Sequence, residues 1–397
     1  MNILVLNAGS SSQKCSLYRV DGALPDEPPT PLWEAHQDGS RLTVSAGEAT
    51  VRRTLATTDA ETVLPTILEM LWDGPTAVLS GPDEIDVVGH RVVHGGRAYS
   101  RSTLITPAVV ATIAQLSPLA PAHNPPALAG LEVTRRVLGE TPQVAVFDTS
   151  FHSTIPDAAA VYPGPYAWAE DDIRRYGFHG VSHAYSAGRA AQLLERDPAS
   201  LRLITCHLGN GCSLCAVRGG ESIDTTMGFT PLEGLMMGTR SGSIDPGLLL
   251  YLLREKGYTP GALSNLLNRE SGLKGISGVS GDLREVLAAV AAGNPRAQLA
   301  FDLYVHRIRF YLGAMLASLG GLDALVFTGG VGEHSEAVRS AVCDAFEFLG
   351  VRLDAEKNGG SPVDKDVAAD DATVRVLVVR AEENWAIAGE CWRVQKE

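Results

Sequence analysis

The chain has 397 residues, 45% of them hydrophobic and 20% charged, with a formal net charge of −13. That composition is globular, and the length suits two domains better than one core. The acidic balance argues against a nucleic-acid or anionic-membrane partner but leaves room for a local basic pocket.

Several features point to a cytoplasmic protein. The first residues carry no basic leader, and no stretch approaches the roughly 18 apolar residues of a membrane helix. The six cysteines follow no disulfide framework. Cys212-Ser-Leu-Cys215 spells CxxC without a second ligand pair, so it reads as reduced thiols in a strand.

In chain order, short apolar strands alternate with amphipathic helices, an α/β pattern. Strands are expected at residues 3–6, 87–93, 143–147, 203–207, 324–328 and 374–379. Residues 21–50, rich in Pro, Gly and charge, and the acidic residues 354–373 read as solvated loops. Asn294 and Pro295 suit the N-cap and first position of a helix. Its apolar residues (Leu299, Leu303, Val305, Ile308, Tyr311, Leu312, Met315) recur at helical spacing until Gly320-Gly321, and they suit a core or a subunit interface. A weak repeat is also visible. ILVLNAGSSSQKCSLYRV near the start and LITCHLGNGCSLCAVRGG near the middle each read strand, Gly-containing turn, strand. The two segments fit a duplicated domain with a cleft between its halves.

Three glycine turns follow apolar strands and present backbone N–H groups that suit phosphates. The first carries Asn7, Ser10, Ser11, Ser12 and Lys14. The second carries His207, Asn210 and Gly211, and the third lies in VFTGGVGEHS, residues 326–335. Neither GxxxxGK[ST] nor GxGxxG with a downstream acid is present, which excludes a P-loop and disfavours a dinucleotide site.

Charged residues then stand in unexpected places. Arg91 interrupts the apolar run VVGHRVVHGGR, where a lone guanidinium is costly. Asp148 ends a strand, His179 lies between glycine and aromatic residues, and Arg240 stands in a Gly- and Met-rich segment. Asp282 and Arg284 lie in SGVSGDLRE, and Glu382 and Glu383 follow the last strand. Singly, these read equally well as a helix cap, a core histidine or a surface ion pair. Together with phosphate turns they match phosphoryl transfer, which needs cations against spreading charge and acids to hold Mg²⁺.

These motifs resemble the acetokinase family, within the superfamily of acetate and sugar kinases, actin and heat-shock chaperones. The resemblance rests on LNAGSSSQK (6–14), GHRVVHGG (89–96), LAPAHNPP (119–126), VFDTSFHSTIP (146–156), RRYGFHGVSH (174–183), CHLGNG (206–211), DTTMGFTPLEGLMMGTRSGSIDPG (224–247), DLR (282–284), TGGVGE (328–333) and EEN (382–384). It implies duplicated ribonuclease-H-like, actin-like ATPase domains. Residues 1–150 with 384–397 would form the N-terminal one, and 151–383 the nucleotide-binding one. It also implies reversible phosphorylation of acetate by ATP with Mg²⁺ (Mn²⁺ as a substitute), and a homodimer formed through the C-terminal domain, where the helix after Pro295 could serve.

Family roles then fall on matching residues. Arg91 would hold the acetate carboxylate, and Arg240 the carboxylate and the transferring group. His179 would stabilise transition-state charge, and Asp148 is the acidic active-site residue. Asn7 and Glu382 would site the metal, with Glu383 as the alternative because AEEN stands where the family reads NEEL. Lys14, His207, Leu208, Gly209, Asn210, Gly211, Asp282, Leu283, Arg284, Gly329, Gly330, Val331, Gly332 and Glu333 would hold ATP. Val93, Phe178, Pro231 and position 122 would line the pocket for the acetate methyl group.

Ala122 replaces the family's leucine there, removing three carbons, so a propionate or broad short-chain acyl kinase is the alternative. One methylene in such a pocket is worth only about 1–3 kcal/mol. An ATP-driven chaperone- or actin-like module would need an extension for its target. Acetate is already ionised at neutral pH, so it needs no general base, and Asp148 is expected to orient Arg91 or the metal shell.

Overall fold

The computed structural model describes residues 1–8, 12–121 and 123–397, with Ser12 described in its backbone alone. Gly9, Ser10 and Ser11 of the first turn, and Ala122, lie outside the described residues. The chain divides into two compact units. Unit 1 comprises Met1–Phe151 and Glu382–Glu397, and unit 2 comprises His152–Ala381.

Unit 1 is built on one sheet of β1 (Asn2–Ala8), β2 (Ser12–Arg19), β3 (Trp33–Asp38), β4 (Arg41–Ala46), β5 (Ala49–Thr54), β6 (Val87–Val92), β7 (Thr103–Leu104) and β8 (Gln143–Phe147), in the order β5-β4-β3-β2-β1-β6-β8-β7. β1 through β5 form an antiparallel meander, while β1, β6 and β8 run parallel. The parallel strands are buried along almost their whole length because both their faces are covered. Alternation along β6 sends Val88 into the core with Leu64 and Val133, and Gly89 toward the C-terminal helix Glu383–Lys396.

Residues 33–50 depart from the loop expected over 21–50. They form β3, β4 and the start of β5, and Trp33 is fully buried. The sequence WEAHQD alternates buried and exposed along β3, a period-2 signal that the surrounding Pro, Gly and charge obscure. The acidic segment 354–373 is also partly built in. It holds the short helix Ala355–Asn358 and a two-residue strand, with Asn358, Val367 and Ala368 buried.

Unit 2 holds β9 (Arg202–Leu208), β10 (Cys212–Arg218), β11 (Glu221–Thr225), β12 (Ala324–Thr328), β13 (Lys365–Asp366) and β14 (Arg375–Val378), in the order β11-β10-β9-β12-β14-β13. Again a three-strand antiparallel meander leads into two parallel neighbours. The hairpins β1–β2 and β9–β10 occupy the same place in the two sheets. Each unit therefore has the ribonuclease-H-like order, an antiparallel set of three strands (β3-β2-β1 and β11-β10-β9) extended by two parallel strands. Helix Pro295–Leu319 is capped as its sequence dictates. The Asn294 side chain accepts from the N–H groups of Arg296 and Ala297, and Gly320 closes the helix in the left-handed region. Val305, Ile308, Leu312 and Met315 face the core, while Leu299 is exposed.

All six cysteines are buried and reduced, Cys212 and Cys215 within β10. Among the described residues no helix is long and apolar enough to cross a membrane.

Gly89 tests the seat of the C-terminal helix. A Cβ there would stand 2.5 Å from Cys391 Sγ and 2.8 Å from Ile387 Cγ2. Gly89→Ala is expected to cost about 1–3 kcal/mol in urea unfolding through overpacking. An unchanged midpoint would mean that the helix can shift at no cost.

Candidate active site

In unit 1 the carboxyl ends of three adjacent parallel strands bring together Asn7 (β1), Arg91 (β6) and Asp148 (just after β8). Open α/β sheets gather ligands at this end. Asp148 grips Arg91 in a two-pronged contact. Nε donates to both carboxylate oxygens at 3.1 and 3.0 Å, and Nη2 donates to Oδ2 at 2.5 Å. Among the described residues, Arg91 Nη1 meets only Asn7 Oδ1, at 3.5 Å. Asn7 Nδ2 in turn donates to Glu383 Oε2 at 3.2 Å and to Asn384 Oδ1 at 2.9 Å. Of the two adjacent glutamates, Glu383 is the one that reaches Asn7.

The ion pair is buried, with the side chains 12% and 2% exposed. Burial opposes the Arg91 charge, but Asp148 and Glu383 outweigh it and hold the guanidinium above its ordinary pKa. Burial likewise pushes the Asp148 carboxyl up, Arg91 offsets part of that, and the net pKa stays above the ordinary carboxylate value. The two-pronged contact makes the hydrogen bonds between them charge-assisted. A cavity of about 580 Å³ opens beside this cluster, lined in part by Gln13, Gln37, His90, Arg91 and Pro125. Lys14 is exposed on β2, opposite Asn7 in the ladder, and Val93 is buried just past β6.

Unit 2 assembles its turns through close backbone approaches. Gly329 has φ +77°, and a Cβ there would lie 2.8 Å from the Leu208 carbonyl, so the 329–333 segment rests on the end of β9. That segment is a short helix, Gly329–His334, rather than the open turn expected. A Cβ at Gly238 would meet Asn210 Oδ1 at 2.3 Å and the Gly281 carbonyl at 2.8 Å. This joins the 207–211 turn, the segment before Arg240 and the start of the helix Leu283–Ala291. Asp282 caps that helix and pairs with the exposed Arg284 at 2.5 Å. A Cβ at Gly211 would lie 3.3 Å from the His179 ring and 3.7 Å from Arg240 Nη1, so these side chains flank one glycine. Arg240 Nη1 also donates to the Pro231 carbonyl at 3.3 Å. Phe178 is buried, its carbonyl 3.0 Å from His152 Nε2.

His179 precedes the helix Gly180–Leu193 in the left-handed conformation (φ 58°), a backbone cost that active sites retain. Its ring stacks on His207 at 4.2 Å, and its Nδ1 lies 2.8 Å from Ser213 Oγ.

Sequence reasoning passed over the supporting residues. His183 is one helical turn from His179, and Ser213 is two residues past Gly211, spacings that mark shared faces. Arg339, fully buried, donates to the carbonyls of Gly332 and Glu333 at 2.9 and 2.8 Å and so holds the 329–334 helix. Glu333 Oε1 accepts from the Ala381 N–H at 3.0 Å.

A family model described as the Acetokinase family matches residues 2–389. An acetate kinase from Nostoc punctiforme is 58% identical over 404 residues, covering 100% of both chains. A solved acetate kinase from Porphyromonas gingivalis superposes with a TM-score of 0.90 at 40% identity, covering 99% of each chain. A solved propionate kinase from Francisella tularensis gives a TM-score of 0.90 at 36% identity, also over 99% of each.

Two stability outcomes follow from these environments. Arg91→Leu leaves Asp148 buried without its cation and should cost about 3–5 kcal/mol in urea unfolding, whereas a loss under 1 kcal/mol would mean that water reaches the carboxylate. Burial lowers the pKa of His90 to about 3 and those of His94 and His152 to about 4. The unfolded chain therefore binds more protons than the folded one below about pH 6.5, so stability is full above that pH and falls as pH drops toward the folded values. His152→Gln should reduce the slope of stability against pH between 6 and 4.5 by up to about 1.4 kcal/mol per pH unit. An unchanged slope would show that His152 titrates normally.

Proposed function

The chain belongs to the acetokinase family, and on that premise we propose that it transfers the γ-phosphoryl group of ATP to acetate, reversibly, giving acetyl phosphate and ADP. The observation that carries this reading is the Arg91–Asp148 pair. Asp148 occupies the Nε and Nη2 edge of the guanidinium, and the Nη1 side is a charge-assisted donor suited to a small carboxylate. Asp148 then orients Arg91 and takes no proton, since acetate is already ionised.

The chemical problem is repulsion between a carboxylate and a polyanionic phosphate. Two like charges at about 4 Å cost ~1 kcal/mol in bulk water and several-fold more where water is scarce. Arg91 holds the acceptor, and Arg240 and His179 meet the charge of the transferring group. The 207–211 turn, Asp282–Arg284, Lys14 and the 329–333 segment bind the nucleotide. Transfer is direct and in line, with no phospho-enzyme.

Asn7 with the Glu382–Glu383 pair offers hard oxygen donors, few in number. That suits Mg²⁺, which takes one or two carboxylates beside substrate phosphates. The ion, when bound, neutralises phosphate charge. Unit 2 also supports a homodimer with a second copy of the chain. The helix Pro246–Glu255 buries none of its residues within the protomer and exposes Leu248, Leu250 and Tyr251. A cytoplasmic location agrees with six reduced thiols. A second reading, activity on propionate, draws on Ala122 in place of the family's leucine and on the likeness to a propionate kinase.

The decisive assay traps acyl phosphate with hydroxylamine from ATP and Mg²⁺, with formate, acetate, propionate and butyrate at equal concentration. Acetate ahead supports the main reading and propionate ahead the second, while no product from any acid sinks both. Arg91→Ala, Arg240→Ala and His179→Ala should each lower kcat by about 10²–10³-fold. Asp148→Asn should be slow with an unaltered pH profile, and rescue confined to high pH would restore a general-base role.

A further inference from the structure

Behind His179 lies a row of side chains that the mechanism above does not use. Alternation on the sheet puts Thr205 and His207 of β9 and Ser213 and Cys215 of β10 on one face, because Ser213 pairs with His207 and Cys215 with Thr205. The helix Gly180–Leu193 packs on β9 and brings His183 to that face, one turn after His179. The resulting contacts are short and consecutive. Thr205 Oγ1 lies 2.7 Å from His183 Nδ1, His183 Nε2 lies 2.8 Å from Ser213 Oγ, and Ser213 Oγ lies 2.8 Å from His179 Nδ1.

We propose that Thr205, His183 and Ser213 form a one-way hydrogen-bond chain that fixes His179 as the neutral tautomer bearing its proton on Nε2. The proposal rests on the reading of His179 as the group that meets phosphoryl charge.

The direction follows from counting protons. A hydroxyl has one, and a neutral imidazole has one N–H and one acceptor nitrogen. His183 is fully buried, and burial with His152 and His207 nearby holds it neutral, well below its ordinary pKa. If both histidines donated to Ser213, the proton of that fully buried hydroxyl would be stranded, so two arrangements remain. In the first, Thr205 donates to His183 Nδ1, His183 Nε2–H donates to Ser213, and Ser213 donates to His179 Nδ1. Both hydroxyl protons and the His183 N–H then have acceptors, and His179 keeps its proton on Nε2. In the second, each bond is reversed, and the Thr205 hydroxyl becomes an acceptor. Thr205 is fully buried, and His183 is the one partner of its hydroxyl among the described residues, so its own proton would be stranded. A stranded buried donor is the expensive case. The tautomer of a histidine is set by the bond at its other nitrogen, and here that bond is an O–H donor.

The consequence is chemical. Nε2–H offers a hydrogen bond to a phosphoryl oxygen without a titrating charge, whereas a bare Nε2 would turn a lone pair toward an anion. Arg240, beside the same glycine, supplies the full positive charge. Thr205, His183 and Ser213 are thus positioning residues that act through His179.

The test measures steady-state kinetics and ¹⁵N NMR of histidine-labelled protein on the wild type and on Ser213→Ala, Ser213→Thr, Thr205→Val and His179→Ala. The resonance absent from His179→Ala identifies His179. The wild type should show its proton on Nε2. Ser213→Ala should move part of the population to Nδ1–H and lower kcat by about 10–100-fold, with KM for ATP and acetate nearly unchanged. Ser213→Thr should restore both, and Thr205→Val should shift the tautomer in the same direction to a smaller extent. An Nε2–H signature and a wild-type kcat in Ser213→Ala would overturn the proposal, as would an Nδ1–H wild type. If His179→Ala keeps full activity, the assigned role of His179 fails instead, and the tautomer spectra still judge the chain.

Discussion

A guanidinium inside an apolar strand must meet a fixed counter-charge, and unit 1 is arranged around that demand. Arg91 sits in a run buried on both faces, so its charge is tolerable only because Asp148 ends the neighbouring strand. The parallel register of β6 and β8 sets Arg91 beside Val146, so Asp148 stands two residues further along, within reach of the long guanidinium side chain. β1 then adds Asn7 on the other side, and Asn7 is gripped by Glu383 and Asn384. A charge that looks misplaced in the sequence is the centre of a network reaching from the first strand to the last helix.

Unit 2 solves a different problem, bringing several segments of backbone into close approach. It does so with glycines where a side chain would collide with a neighbouring segment. Gly329 rests against Leu208, and Gly238 against Asn210 and Gly281. The side chains that remain near the turn, His179, His207 and Arg240, are polar and half-buried. The hydroxyl and imidazole groups behind them are fully buried and hydrogen-bonded, which makes the visible part of the site rigid.

Much of this was legible in the sequence. The parallel strands announced themselves as apolar runs, and the helix after Asn294 by its cap, its proline and its terminal glycines. The repeated hairpin foretold two like sheets. Legibility ended where the signal was not local. Trp33 alternates with charged and polar neighbours, and the Pro-rich stretch before it masked a strand. His183 and Ser213 matter only through a contact between helix and sheet, which no single window displays. The reach of Glu383 to Asn7 spans 376 positions. Spacing identifies which residues share a face, but it does not say which faces meet.

The C-terminal helix has a consequence for how the protein is made. Unit 2 is one continuous segment, whereas unit 1 needs Glu382–Glu397 to cover β6 at Gly89 and to hold Asn7. On a ribosome those residues emerge only after all of unit 2. The unit whose synthesis begins first is therefore completed after the other, and its central strand waits for a lid of its own sequence while the second unit is free to fold.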